Sequence, residues 1–219
     1  MSTKTGWDWD QALQATPDRW TEVAEELIPF VNELHKNDCR RVYDLGCGVG
    51  RHTLFLAQQG FTVTASDVSP SAIIHTRENL ERTELKAQLH ELNMSDWPFE
   101  KASFDAIVAF NVVYHSTADQ LEAVLAEIYR TLTPNGLLFI TFKSVEDSDF
   151  GQGEKLAGFT YAPISGIEAG IAHYYVDEDE LRRLMQNFEL VSLIHKQEFP
   201  VSAKSERQRA HWVVWAKKS

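Results

Sequence analysis

The sequence has no unbroken apolar stretch of about eighteen residues, the length a helix needs to cross a bilayer, so no membrane span is expected. Cysteine is scarce, with only Cys39 and Cys47 among 219 residues. They flank a predicted strand, and at about 3.3 Å per residue they stand more than about 20 Å apart. A disulfide requires Cα atoms within about 7 Å, so no intrachain bridge is expected and a reduced, cytoplasmic protein is the reading. Basic residues are outnumbered, 21 against 32 acidic, for a net charge of -11. No dense basic stripe offsets that deficit, and so acidic a surface repels phosphate backbones; nucleic acid is not an expected partner. The terminal pair Lys217-Lys218 reads as a solvated tail. The opening residues, Met1 to Gly6 followed by Trp7-Asp8-Trp9-Asp10, lack the apolar core of a signal peptide. The histidines do not group at metal-ligand spacing and no two-histidine helical motif occurs, so no metal is expected. Internal repeats and low-complexity tracts are missing too.

What is present is ordinary globular usage, 43% hydrophobic and 24% charged. The length suits one domain. Arg41 to Leu45 is a short apolar run that stops at glycines, as a buried parallel strand does. A helix is predicted over 51–59, with Gly60 at its left-handed end. A second strand follows over 61–67, then Ser69-Pro70 as N-cap and first helical residue of a helix to about Arg82. Residues 87–93 alternate as a third strand, and 104–110 form a fourth that is nearly all apolar. A helix over 118–132 precedes the turn Pro134-Asn135-Gly136 and a fifth strand over 137–142. Strands separated by helices in this way predict an α/β, doubly wound, mainly parallel sheet.

The last third breaks the rhythm. Residues 143–175 hold several glycines and no period, too long for an idle connector. Asp177 with Glu180 predicts a capping box for a helix through Asn187. Two strands, 189–199 and 211–216, then flank a polar hairpin over 200–209. Before the sheet, residues 17–34 read as an amphipathic helix with Trp20, Val23, Leu27, Val31 and Leu34 on one stripe. The expected organisation is a single domain over 1–219: an N-terminal helical segment (1–38), a cofactor-binding core (39–142), a substrate-side excursion (143–176) and a C-terminal helix and hairpin (177–219).

The run Asp44-Leu45-Gly46-Cys47-Gly48-Val49-Gly50 carries the chemistry. Glycines at alternate positions after a strand allow a tight turn and close backbone approach to a ligand. The next helix presents its N-terminal amides to a negative group, and Asp67, ending the second strand, is placed to accept from ribose hydroxyls. A dinucleotide site wants a third glycine where Arg51 stands and tolerates Asp44 poorly beside a pyrophosphate. A cationic sulfonium with an amino-acid tail tolerates Asp44 and can use it.

That run resembles the first motif of the class I methyltransferases that use S-adenosylmethionine. Ser66-Asp67-Val68-Ser69 resembles their second-strand acid motif, Asn93 to Phe99 the adenine-side loop, and Phe104 to Val108 followed by Asn111 the fourth-strand motif. Leu132 to Gly136 resembles the turn before the fifth strand. The resemblance implies a seven-stranded sheet in the order 3-2-1-4-5-7-6 with a reversed last strand and an insertion after the fifth. It implies S-adenosyl-L-methionine as cofactor: Asp44, Gly46, Cys47, Gly48 and Gly50 around the methionine part with Arg51 beside them, and Asp67 with Val68 at the ribose. Asn93 and Met94 would face adenine. Asn93 stands where the family has aspartate, and its amide oxygen is expected to accept from the adenine amino group. Phe110 and Asn111 would lie beside the transferable methyl. The Arg51-His52 continuation is similar to small-molecule members such as tellurite and thiopurine methyltransferases.

Methyl transfer from a sulfonium is an in-line displacement that gains much from alignment and exclusion of water. A base is needed only for an acceptor protonated at neutral pH. Ligands of open parallel sheets bind beyond the strand carboxyl ends, which singles out Tyr114, His115 and His173 on the acceptor side. His115 is a base or substrate anchor, or a polar cap of the next helix. His173-Tyr174-Tyr175 walls the pocket or packs the excursion onto the sheet. Trp7, Trp9 and Trp20 form a lid or a plain helix contact. Cys47 fills a turn rather than acting as nucleophile, with nothing basic placed to lower its pKa. The expected activity is methyl transfer to a small-molecule acceptor by a monomer or homodimer. Alternatives are a protein or RNA acceptor, a non-catalytic S-adenosylmethionine binder, and a dinucleotide oxidoreductase, which Arg51 and Asp44 oppose.

Overall fold

The computed structural model describes residue 9, residues 20–199 and residues 208–219. The elements of the first half are α1 (Leu27–Lys36), β1 (Arg41–Leu45), α2 (Arg51–Gln58), β2 (Thr62–Asp67), α3 (Pro70–Arg82), β3 (Ala87–Glu91) and β4 (Phe104–Ala109). Then come α4 (Ala118–Thr131), β5 (Leu132–Ser144), β6 (Glu154–Ala157), β7 (Thr160–Ala162) and β8 (His173–Val176). The chain closes with α5 (Glu178–Leu184), β9 (Phe188–Glu198) and β10 (Arg209–Lys218).

β1 pairs in parallel with β2 and β4, β2 with β3, and β4 with β5. β10 runs antiparallel between β5 and β9. The pairing therefore reads β3-β2-β1-β4-β5-β10-β9, the expected order with its reversed strand. Beyond it, β8 adds to the carboxyl end of β5 and carries the antiparallel pair β6 and β7.

Both sheet faces are buried, which explains the unbroken apolar strands. Tyr43, Leu45, Ile107, Leu138 and Ile140 point to the face covered by α4 and α5. Their neighbours Val42, Ala106, Val108, Leu137 and Phe139 point to the opposite face, where Leu27, Phe30 and Leu34 of α1 and Leu56 of α2 cover them. No helix among the described residues is long and apolar enough to cross a membrane.

Four expectations change. The N-terminal helix begins at Leu27, so Trp20 and Val23 precede it. The backbone there turns to other partners: the Ala24 N–H reaches His52 Nε2 at 3.3 Å. Residues 17–19 and most of the hairpin loop lie outside the described residues. The excursion holds strands β6, β7 and β8 where the sequence has no period, because their pairing is long-range. β5 starts at Leu132, with the Pro134-Asn135-Gly136 turn absorbed as an irregularity between Phe104 and Ala106 of β4. Lys218 is no solvated tail: it ends β10, buried, and its Nζ donates to the Leu132 carbonyl at 2.8 Å.

Candidate functional site

The carboxyl ends of β1, β2 and β4 open into a cavity of about 330 Å³. Its floor is the loop from β1 to α2. Gly46 has φ +70°, and a Cβ there would lie 2.3 Å from the Val112 side chain, so both backbone sign and space require glycine. Gly48 has φ +56°, and a Cβ there would meet the Trp9 ring at 2.7 Å. Asp67 pins this floor. Its Oδ2 accepts from the Gly48 N–H and its Oδ1 from the Ser69 N–H, both at 2.9 Å. Burial raises the Asp67 pKa, and the amides of Ser69 and Gly48 oppose that rise. Each oxygen keeps a lone pair, and Asp67 lines the cavity.

Gly46, Cys47, Gly48, Arg51, Val68, Asn93, Met94, Phe110 and Asn111 also line it, as do Tyr114 and His115. Asp44, Gly50 and His173 do not. Asp44 is 1% exposed and its Oδ2 accepts from Thr53 Oγ1 at 2.6 Å, tying β1 to α2 behind the floor. Burial raises its pKa to about 6, against the Thr53 hydrogen bond and the Arg51 charge. Burial also raises the Cys47 thiol well above its ordinary value, in keeping with a turn-filling role.

The Asn93 amide oxygen takes both the N–H and the hydroxyl of Ser95 at 3.0 Å each. Those two donors occupy its lone pairs. Asn111 holds φ +54°, a left-handed position that asparagine tolerates. Thr141 fixes it, accepting from the Asn111 N–H at 2.7 Å and donating to Oδ1 at 3.1 Å.

Beyond Asn111 the wall becomes aromatic and ionisable. The cap of α4 is Thr117, in a reciprocal capping box with Gln120, so His115 is not a helix cap. His115 Nε2 lies 3.4 Å from Glu168 Oε1, and His173 Nε2 lies 3.8 Å from Glu168 Oε2. The His115 and His173 rings are 4.9 Å apart, with Tyr114 stacked edge-on to His115 at 4.6 Å. The Tyr174 N–H donates to the Tyr114 carbonyl at 2.8 Å, joining β8 to the loop after β4. Burial opposes ionisation of Glu168, but both imidazoles and Lys143 outweigh it and hold its pKa near 2. Burial, then His115, lowers the His173 pKa to about 3, which keeps that ring neutral.

The sequence therefore scattered histidines that the fold gathers: His115, Glu168 and His173 present ligand atoms all within 4.8 Å of one another. Glu168 was not singled out from sequence, since it sits in the excursion with no motif around it. Tyr175 packs with Phe150 and Tyr161, so the HYY run serves the packing of the excursion through Tyr175 while His173 backs the cavity wall. Trp9 and Trp20 both line the cavity, their rings 5.3 Å apart; Trp7 lies outside the described residues. A second cavity of about 820 Å³ adjoins the first, sharing Arg51, Phe110, Asn111, Tyr114 and Glu168, and reaches Lys143 and His211.

A family model described as a methyltransferase domain matches residues 42–136. An uncharacterized methyltransferase of Synechocystis sp. is 33% identical over 98 residues, covering 45% of this chain and 44% of that protein. The glycine/sarcosine N-methyltransferase of Parasynechococcus marenigrum is 29% identical over 206 residues, covering 88% of this chain and 67% of its own length. The chain thus spans between 44% and 67% of these two relatives. The 1,6-didemethyltoxoflavin-N1-methyltransferase of Burkholderia thailandensis, solved with 1,6-didemethyltoxoflavin and S-adenosylhomocysteine bound, has the same fold. Its TM-score is 0.67 at 23% identity, covering 97% of this chain and 86% of that one.

Proposed function

We propose that this chain is a class I methyltransferase dependent on S-adenosylmethionine, and that it transfers a methyl group to a small-molecule acceptor by in-line displacement. One observation carries the reading: a single cavity joins the Gly46–Gly48 floor and Asp67 to Tyr114, His115 and Glu168. When bound, S-adenosylmethionine supplies an electrophilic methyl on a sulfonium. The glycine floor admits its methionine part close to the backbone. Asp44 stays behind the floor and acts there through its charge, while Asp67 accepts from the ribose hydroxyls. Val68 and the Asn93-Met94 backbone border the adenine, and Phe110, Asn111 and Arg51 flank the reacting centre.

His115, Tyr114 and His173 with Glu168 form the acceptor side. The His115 imidazole beside the Glu168 carboxylate suits acceptors that must lose a proton, while His173 backs the wall. Trp9 and Trp20 exclude water over the floor. The excursion over 143–176 completes the acceptor wall of a single domain, since Glu168 comes from it. A small acceptor is favoured by the size of the cavity and by the net charge of -11, which disfavours RNA. The named relatives that methylate glycine, sarcosine and 1,6-didemethyltoxoflavin act on small molecules as well.

The test is a screen of small amines, thiols and hydroxyl compounds with S-adenosylmethionine, following S-adenosylhomocysteine and the mass of the acceptor. Formation of both products in equal amounts is expected for at least one small acceptor. Methyl incorporation only into added protein or RNA would overturn the small-acceptor reading.

A further inference from the structure

We propose that His115, Glu168 and His173 form a binding site for a divalent transition-metal ion, zinc being the probe of choice, with an open position toward the acceptor cavity. The inference rests on the reading of this cavity as the acceptor side, and it adds a ligand that the methyl donor does not require.

The donor set is two imidazoles and one carboxylate, the combination with which catalytic zinc sites hold the ion while leaving a fourth position for water or substrate. Zinc bonds of about 2.0–2.2 Å in tetrahedral array set neighbouring ligand atoms about 3.3 Å apart. Here the carboxylate oxygens lie 3.4 Å from His115 Nε2 and 3.8 Å from His173 Nε2. All three ligand atoms lie within 4.8 Å of one another, so side-chain rotation has to draw them together on one ion. The elements that carry the two histidines are fixed independently of any ion. His173 stands in β8, which pairs with β7, and the Tyr174 N–H bond to the Tyr114 carbonyl locks that strand against the loop bearing His115.

His173 supplies the second, independent observation. It is 0% exposed, and neither of its ring nitrogens has a hydrogen-bond partner among the described residues. Buried polar atoms are ordinarily satisfied, and an ion on Nε2 would satisfy the one that faces Glu168. The nearby Lys143 ammonium does not forbid a cation, because Asp149 at 3.3 Å and Asp147 at 3.8 Å already face it. His115 and Glu168 line the cavity while His173 sits behind them, so the remaining coordination position opens inward.

An ion there gives the site a substrate preference: a small thiol or hydroxyl acceptor that binds as the anion. Binding to the metal releases the acceptor proton to solvent. The acceptor sulfur or oxygen then forms the bond to the methyl carbon as the sulfonium carbon–sulfur bond breaks. That bond's electron pair stays on the departing sulfur.

The experiment uses the full chain, stripped with a chelator, desalted and titrated with zinc chloride against a chromophoric competitor. Cobalt(II) is loaded in parallel to read the visible spectrum. Expected are one zinc ion per chain and the intense visible bands of a four- or five-coordinate cobalt site. His115→Asn and Glu168→Gln, both at the cavity surface, should each weaken zinc binding more than about tenfold, a loss that even the outer partners of metal ligands can produce. His75→Ala, which is not among the cavity-lining residues, should leave binding unchanged. His173→Ala is read only where circular dichroism shows a folded chain. Absence of stoichiometric zinc binding, or binding that neither cavity-surface variant weakens, overturns the proposal. S-adenosylmethionine titrated into the same stripped protein separates the two readings: its binding without zinc binding overturns this inference alone, and zinc binding without it overturns the methyl-donor reading alone.

Discussion

The carboxylate of Asp44 sits 1% exposed behind the glycine floor, with one hydroxyl donor and its pKa raised from 3.8 to about 6. A group whose folded pKa lies above its unfolded value stabilises the fold fully below the unfolded value, and that contribution is lost as pH rises through the folded one. For Asp44 the window runs from about pH 4 to about pH 6, and the loss at neutral pH is on the order of 3 kcal/mol. Asp44→Asn keeps an acceptor for Thr53 while removing the buried charge. Urea denaturation should find this variant more stable than the parent at pH 7 and nearly equal to it at pH 4. A gain of the same size at both pH values would contradict the assignment. Retaining an ionised acid at such a cost fits the proposed sulfonium ligand in front of it, because an opposite charge nearby is favourable.

Among the elements, α4 follows directly on the loop that carries Tyr114 and His115, and its start is set by the Thr117–Gln120 box: the Thr117 N–H donates to Gln120 Oε1 at 2.9 Å and the Gln120 N–H to Thr117 Oγ1 at 3.4 Å. Thr117→Ala should cost about 1 kcal/mol in chemical denaturation; a loss under a few tenths would mean that packing alone fixes the helix start. The element scale also separates what was legible from what was not. The β1 loop, Asp67 and the Ser69-Pro70 start of α3 were readable because each depends on neighbours in sequence. The N-terminal helix was drawn too long because its apolar stripe continues upstream, while Ala24 turns its amide to His52, a partner 28 residues away. Glu168 was invisible for the same reason. Its meeting with His115 and His173 is made by β8 reaching the end of β5, where Lys143 and Ser144 pair with Tyr175 and Val176. The Asn93 side chain bonds locally, because Ser95, two residues on, supplies both donors to its oxygen.

At the scale of the whole molecule, a sheet buried on both faces leaves its carboxyl edge as the place where loops from β1, β2 and β4 can meet. The excursion adds three strands at that same edge, beside β5. Donor floor and acceptor wall thus come from parts of the chain more than 100 residues apart, from Gly46 to Glu168, and meet in one cavity. Calorimetric titration of the full chain and of Asp67→Ala tests whether this floor holds S-adenosylmethionine. S-adenosylmethionine and S-adenosylhomocysteine should bind the parent and NAD should not, and Asp67→Ala should weaken both ligands at least about tenfold, or about 1.4 kcal/mol. Binding of NAD alone, or an affinity for S-adenosylmethionine that Asp67→Ala leaves unchanged, would contradict that reading of the floor.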